Sequence, residues 1–252
     1  MAVSVSKKST QDAVYTVLKE GIMTLSLPPG TAMSTQEVAT RLNVSRTPVR
    51  EAFIRLHEEG LVDVFPQRQT IVSRIDFRRV MQERFIRESL ETAALHLFME
   101  TRPEEYLARM QEEIALQGLC QKEKRFPDFI RHDNEMHRLI FLGAGQPLAW
   151  DAVLSVNGNY DRFRVLTVSN EDTLDSAIRQ HRRLIALIRE GDTQRACAEM
   201  YDHVRKLRYE KEELLRQYPD YFTTDEEAPD VFRLGALQGL QTAGSPTGET
   251  EV

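Results

Sequence analysis

Between Ser34 and Gly60 the chain reads STQEVATRLNVSRTPVREAFIRLHEEG, and few local structures satisfy that order of residues. STQE has the form of a capping box, in which the Ser34 hydroxyl takes a backbone N–H while Glu37 reaches back, so a helix begins there. The helix is brief, with Val38, Ala39 and Leu42 turned inward. Asn43 and Val44 make a tight connection, and Ser45 stands as N-cap of a second helix. Pro48 falls in its first turn, where a missing N–H costs nothing. Val49, Ala52, Phe53 and Leu56 repeat at helical spacing and give that helix one buried face; Gly60 stops it. On the opposite face Arg46 and Arg50, four residues apart, stand with Thr47. This is the layout of a helix-turn-helix, whose second helix lies in the major groove of DNA. Taken alone, the same face is also that of an ordinary solvated helix.

The flanking pattern adds a wing. Upstream, Val14, Val17, Leu18 and Ile22 form an apolar stripe that ends before LSLPPG, a turn. Downstream, LVDVF and TIVSRI read as two short strands joined by PQRQ, a hairpin. From Asp76 the pattern is helical throughout, with six helices expected near 76–100, 103–124, 127–144, 147–167, 171–190 and 193–216. Past RQYPDYF the composition shifts to Asp, Glu, Gly, Thr and Pro. The expected fold class is mostly α: a winged helix-turn-helix over 1–75, an all-α helical bundle over 76–217, and an acidic, disordered tail over 218–252 that is dispensable for folding.

Charge is distributed in the same way. The 252 residues carry a net charge of -6, yet residues 1–75 hold nine Lys/Arg against seven Asp/Glu, while 218–252 hold seven acids and one Arg. The N-terminal segment is therefore free to approach a polyanion. No apolar run approaches the roughly 20 residues of a membrane span, and the N-terminus lacks the apolar stretch of a signal peptide, so a cytoplasmic location is expected. Cys120 and Cys197 sit in helical patterns without a ligand-spaced partner and read as reduced, half-buried hydrophobes.

VSRTPVREAFIRLHEEGLVDVFPQR resembles the N-terminal winged-helix signature of GntR-family bacterial transcription regulators, a match running from Leu27–Gly30 to Val72. The resemblance implies that Arg46 and Arg50 contact a double-stranded DNA operator, helped by Ser45, Thr47, Gln36 and the wing with Arg68. A dimeric reader on a pseudo-palindrome is the general arrangement for such a motif. One departure stands out: Gln69 occupies the position where such wings usually carry Gly, which sets the minor-groove role of Arg68 apart from that of the recognition helix.

The second domain raises a question of metal chemistry. RHDNEMHRLIF places Asp133 and His137 four apart on one helix face. His181 belongs to the inward run Leu174, Ile178, His181, Ile185, Ile188, and His203 to Ala196, Met200, His203, Leu207. A single His on an apolar stripe is usually a hydrogen-bonded core residue, and three separate core histidines remain one reading. Three on three helices with an Asp alongside form a donor set suited to Zn²⁺, Ni²⁺ or Mn²⁺. These residues are also similar to the FCD effector domain of the FadR-type branch of the family, matched over about 78–217. Its metal-binding members have Asp-x3-His on one helix and one His on each of two later helices, and all four positions are filled here. The resemblance implies a small carboxylate effector such as a sugar acid, met by the metal and by an Arg: Arg87 in RFIRESLETAAL, with Arg162 and Arg164 as further candidates. It also implies a regulator, a repressor rather than an enzyme. Two alternatives stay open. One is a metal-dependent hydrolase of the helical-bundle type, suggested by HD at 132–133. The other is a DNA-binding regulator with a purely structural metal.

Overall fold

The computed structural model describes residues 10–65, 68–167, 171–205 and 211–223. The N-terminal part opens with α1 (Thr10–Met23), followed by β1 (Ala32–Met33), α2 (Thr35–Leu42), α3 (Arg46–Glu58), β2 (Val62–Phe65) and β3 (Gln69–Val72). Ser34 accepts the amide of Glu37 at 3.1 Å, which starts α2. Asn43, in the left-handed region at φ 53°, ends it and turns the chain into α3. Gly60, at φ 70°, reverses the chain after α3. The strands are antiparallel in the order β1-β3-β2, with Val62 opposite Val72 and Phe65 opposite Gln69. The two-residue β1 was not expected from the sequence. Val14, Leu18 and Ile22 of α1 pack on Val49, Ala52, Phe53 and Leu56 of α3 to form the first core.

The C-terminal part is helical: α4 (Phe77–Thr101), α5 (Glu104–Lys122), α6 (Phe126–Gly143), α7 (Pro147–Ser155), α8 (Gly158–Thr167), α9 (Glu171–Glu190), α10 (Thr193–Arg205) and α11 (Lys211–Gln217). The single helix expected over 147–167 is two, divided at Val156 and Asn157. The one expected over 193–216 appears as α10 and α11, with 206–210, including Leu207, outside the described residues. A second core joins Phe98, Phe129, Met136, Ile140, Phe141, Ile185 and Met200. A third, smaller core lies where the two parts meet and contains Ile75, Val80, Tyr160, Phe163, Leu214 and Phe222.

That third core corrects the expected tail boundary. Pro219–Tyr221 form a 3-10 turn, Phe222 is buried, and Phe222 pairs with Ile75 in a parallel bridge. Residues 218–223 are thus structural, because Phe222 has an apolar site to fill; 224–252 lie outside the described residues. Among the described residues no helix is long and apolar enough to cross a membrane.

Candidate functional site

On the N-terminal part, Gln36, Ser45, Arg46, Thr47, Arg50 and Arg68 are all exposed. Arg46 Nε donates to Gln36 Oε1 at 2.6 Å, so the first helix of the motif steadies a side chain of the second. Ser45 occupies the N-cap of α3 but makes no capping bond. Arg50 and Arg68 line one groove between α3 and the wing, together with Phe53, Ile54, Val64 and Phe65. Gln69 lies in β3 as the partner of Phe65, with no left-handed backbone, so glycine is not required there. The basic, grooved side is the one a polyanion would meet.

In the helical part, α6 supplies Asp133 and His137, α9 supplies His181 and α10 supplies His203. One donor atom from each lies within 4.8 Å of the others. His181 Nε2 stands 3.1 Å from His203 Nε2 and 3.5 Å from Asp133 Oδ1, and His137 Nε2 is 3.7 Å from Asp133 Oδ2. Two donors ~2.0–2.2 Å from one zinc-like ion stand at most ~4.4 Å apart, and these three separations satisfy that limit. The tautomers point the same way. His181 Nδ1 lies 2.8 Å from Gln117 Oε1, and His203 Nδ1 lies 3.3 Å from Gln180 Oε1. A carbonyl oxygen accepts, so each Nδ1 carries the proton and each Nε2 turns a lone pair toward the other. Burial lowers the pKa of His181 to about 3 and that of His203 well below 6.5, so a shared proton does not relieve the repulsion. His137 Nε2 is buried without a hydrogen-bond partner. The donor set fits a divalent cation.

Around this cluster the charges are paired and buried. Burial alone would raise the pKa of Asp133, but the guanidiniums of Arg164 and, more weakly, Arg87 outweigh it and hold the carboxyl well below its ordinary range. Arg164 bonds Asp133, and its Nη1 donates to Asn134 Oδ1 at 2.7 Å and Asp161 Oδ1 at 3.0 Å. Arg87 Nε donates to Glu91 Oε1 at 2.5 Å and Nη1 to Asn134 Oδ1 at 3.0 Å. Glu91 Oε2 in turn lies 2.7 Å from His137 Nδ1. A cavity of about 50 Å³ opens beside the donors, lined by Arg87, Arg164, Tyr160, Phe129, Thr173 and Gln180 among others. Arg162 is absent from its lining. The structure instead turns Arg162 toward Ser73, 2.6 Å from its carbonyl oxygen, which corrects its expected placement at the pocket. His132 also faces elsewhere, its Nδ1 2.7 Å from Glu113.

Sequence reasoning missed Glu91, Asn134, Asp161, Gln117 and Gln180. For Glu91 a signal existed: Glu83, Arg87 and Glu91 continue, at four-residue spacing, into the buried Leu95. For the glutamines there was none, since nothing in their spacing marks them as partners of a ring nitrogen.

Two regions of the chain match known families. Residues 10–72 match the bacterial regulatory proteins of the gntR family, and residues 84–206 match the FCD domain. An HTH-type transcriptional regulator of an unstable DNA locus in Streptomyces ambofaciens is 32% identical over 220 residues, 87% of this chain and 92% of that one. The HTH-type transcriptional repressor RspR of Escherichia coli is 28% identical over 212 residues, 84% of this chain and 93% of its own. Among solved structures, E. coli McbR/YncC superposes with a TM-score of 0.71 at 22% identity, covering 84% of this chain and all of the other. A GntR regulator structure from Rhodococcus sp. RHA1 also reaches 0.71, at 19% identity over 84% of this chain and 100% of that one. A winged helix-turn-helix joined to an FCD domain defines a class of DNA-binding transcription regulators. The chain belongs to the gntR family of bacterial regulatory proteins.

Proposed function

We propose that this regulator is a repressor whose hold on a pseudo-palindromic operator is controlled by a small carboxylate metabolite, such as a sugar acid, bound beside a divalent metal ion in the helical domain. DNA is met by Arg46, Arg50, Ser45, Thr47 and Gln36 of the helix-turn-helix and by Arg68 of the wing, in the cytoplasm. The division expected from sequence, with DNA binding before residue 76 and effector binding and dimerisation over 76–217, is part of the reading. Two copies act together on a two-fold site. Apolar side chains left at the surface of the helical domain, Phe85 at 63% exposed and Leu148 at 78%, favour that domain as the platform of the homodimer. Repression is favoured by the likeness to RspR.

One observation carries the metal part: the Nε2 atoms of His181 and His203 face each other at 3.1 Å with Asp133 beside them. Asp133, His137, His181 and His203 would hold the ion, Zn²⁺ by donor chemistry, with Ni²⁺ or Mn²⁺ also suited. When bound, such an ion supplies a positive centre that accepts a carboxylate oxygen. Gln117 and Gln180 fix the two ring tautomers, and Arg87 and Arg164 line the space an anion enters. Metal analysis of the purified chain tests this. About one ion per chain is expected by the four-ligand count, with loss of most of it in His181→Ala; undiminished metal in that variant would end the assignment.

A second reading, a metal that only staples α6, α9 and α10, is favoured by the small cavity, with room for a few waters at about 50 Å³. The two readings part on whether an added acid changes DNA binding.

A further inference from the structure

Arg162 is fully buried and looks away from the cavity. Its Nη1 donates to Ser73 O at 2.6 Å, Nε to Gly158 O at 3.0 Å and Nη2 to Asn159 Oδ1 at 3.2 Å. Ser73 follows the last residue of β3, so the first of these bonds runs from α8 to the segment joining the two domains. The start of α8 is fixed there by other contacts. Asn159 Oδ1 accepts the amide of Asp76 at 3.1 Å. Glu83 of α4 accepts the amides of Asn159 and Tyr160, each at 2.8 Å, and so caps α8. Gly158 lies so close to Leu61 that an added Cβ would stand 3.0 Å from its Cδ2. On the other side of the junction the Ile75 amide donates to Tyr221 O at 2.8 Å, and the Thr223 amide to Ile75 O at 3.1 Å. Residues 73–76 are therefore gripped by α8 on one flank and by the C-terminal strap on the other.

Two residues further along α8, Arg164 grips Asp133, one of the four candidate ligands. Positions two apart on a helix diverge by ~200°, so these two cations leave α8 on opposite sides. One reaches the cavity and the other the junction. A ten-residue helix capped at its start moves as one piece, ~15 Å long. Both guanidiniums are held by several directed bonds, so neither follows a shift of α8 without carrying or breaking its partners.

We infer that Arg162 is a positioning residue that ties the orientation of the DNA-binding domain to the state of the metal and effector cavity, through α8 and the Ser73 carbonyl. The inference rests on the reading of Asp133, His137, His181 and His203 as a metal site. A change in how Asp133 shares its oxygens alters the grip of Arg164, α8 shifts, and Arg162 passes the shift to residues 73–76. In this arrangement Arg162 touches neither DNA nor effector.

The full-length chain tests it by hydrogen exchange at the amides of Ile75 and Asp76, which donate across the two flanks of the junction. Zn²⁺ added to chelator-treated wild-type protein is expected to change those exchange rates by about fivefold or more. In Arg162→Met the response should vanish while bound Zn²⁺ per chain, measured separately, stays the same. Arg162→Lys, which keeps the charge and loses the fork, should fold under all conditions and show a weakened response. A purely structural role for Arg162 predicts faster exchange with the Zn²⁺ response intact, and that result overturns the proposal. So does an unresponsive junction in wild-type protein that binds Zn²⁺. Failure of the wild type to bind Zn²⁺ would strike the metal reading instead. Arg164→Gln in metal-free protein then decides the coupling: it should change the Ile75 and Asp76 rates in the wild-type background, change them less beside Arg162→Lys, and leave them unmoved beside Arg162→Met.

Discussion

His181 is 1% exposed, with one ring nitrogen on a glutamine oxygen and the other facing a second imidazole. Burial lowers its pKa to about 3 from 6.5. Between those values the unfolded chain binds a proton that the folded chain refuses, so stability falls as pH falls through that window. Thermal unfolding of metal-free protein is therefore expected at a lower temperature near pH 5 than near pH 7. His181→Gln should flatten part of that slope, and an unchanged slope would contradict the assignment of the titrating group. At the DNA face, Arg50→Ala is expected to weaken operator binding by about 1–3 kcal/mol and relax its sequence preference if the guanidinium meets a base edge. Binding weakened evenly over all sequences would assign Arg50 to phosphate. The grouping of Asp133, His137, His181 and His203 was legible because the first two share one face of α6 and each later His interrupts the inward apolar stripe of its own helix. Arg162 was misplaced because sequence shows a charge in a helix without showing which side of a ten-residue helix meets a neighbouring domain.

At the scale of elements, legibility followed how purely apolar each buried face is. For α3 the buried set is Val49, Ala52, Phe53 and Leu56, and the sequence pattern located it directly. For α4 the buried set includes Glu83, Arg84, Arg87, Glu88 and Glu91, so its inner face looks like an outer one to any reading by hydropathy. The break between α7 and α8 was invisible for a related reason: helical spacing continues across it, and it is the distant Glu83, accepting the amides of Asn159 and Tyr160, that shows why α8 starts afresh. The C-terminal strap was taken as tail because it was grouped with the acidic segment that follows it, although YPDYF carries three aromatic rings and one of them, Phe222, decides its fate. It packs on Phe163 with ring centroids 6.3 Å apart. A chain ending at Thr223 is therefore expected to match the full chain in thermal stability. One ending at Tyr218 should lose roughly 3 kcal/mol, the lower end of the cost of deleting a buried Phe. Chemical denaturation of both truncations checks this, and equal stabilities would return 218–223 to the tail.

At the scale of the molecule, an acidic chain keeps its basic, DNA-reading surface on one domain and its buried charges around a cavity in the other. The two are joined by a short segment clasped from both sides. That architecture suits a regulator in which a ligand at the cavity is felt at the helix-turn-helix, because bonds from α8 reach both Asp133 and Ser73. The most direct measurement of this account is a DNA-binding titration with a duplex selected by the protein from a random pool. It is made on metal-loaded and chelator-stripped chain across a panel of small carboxylic and sugar acids. Release from DNA by at least one acid is expected in the metal-loaded protein, with the stripped protein holding the duplex and ignoring the same acid. An equal response with and without metal, or no response to any acid, would contradict it.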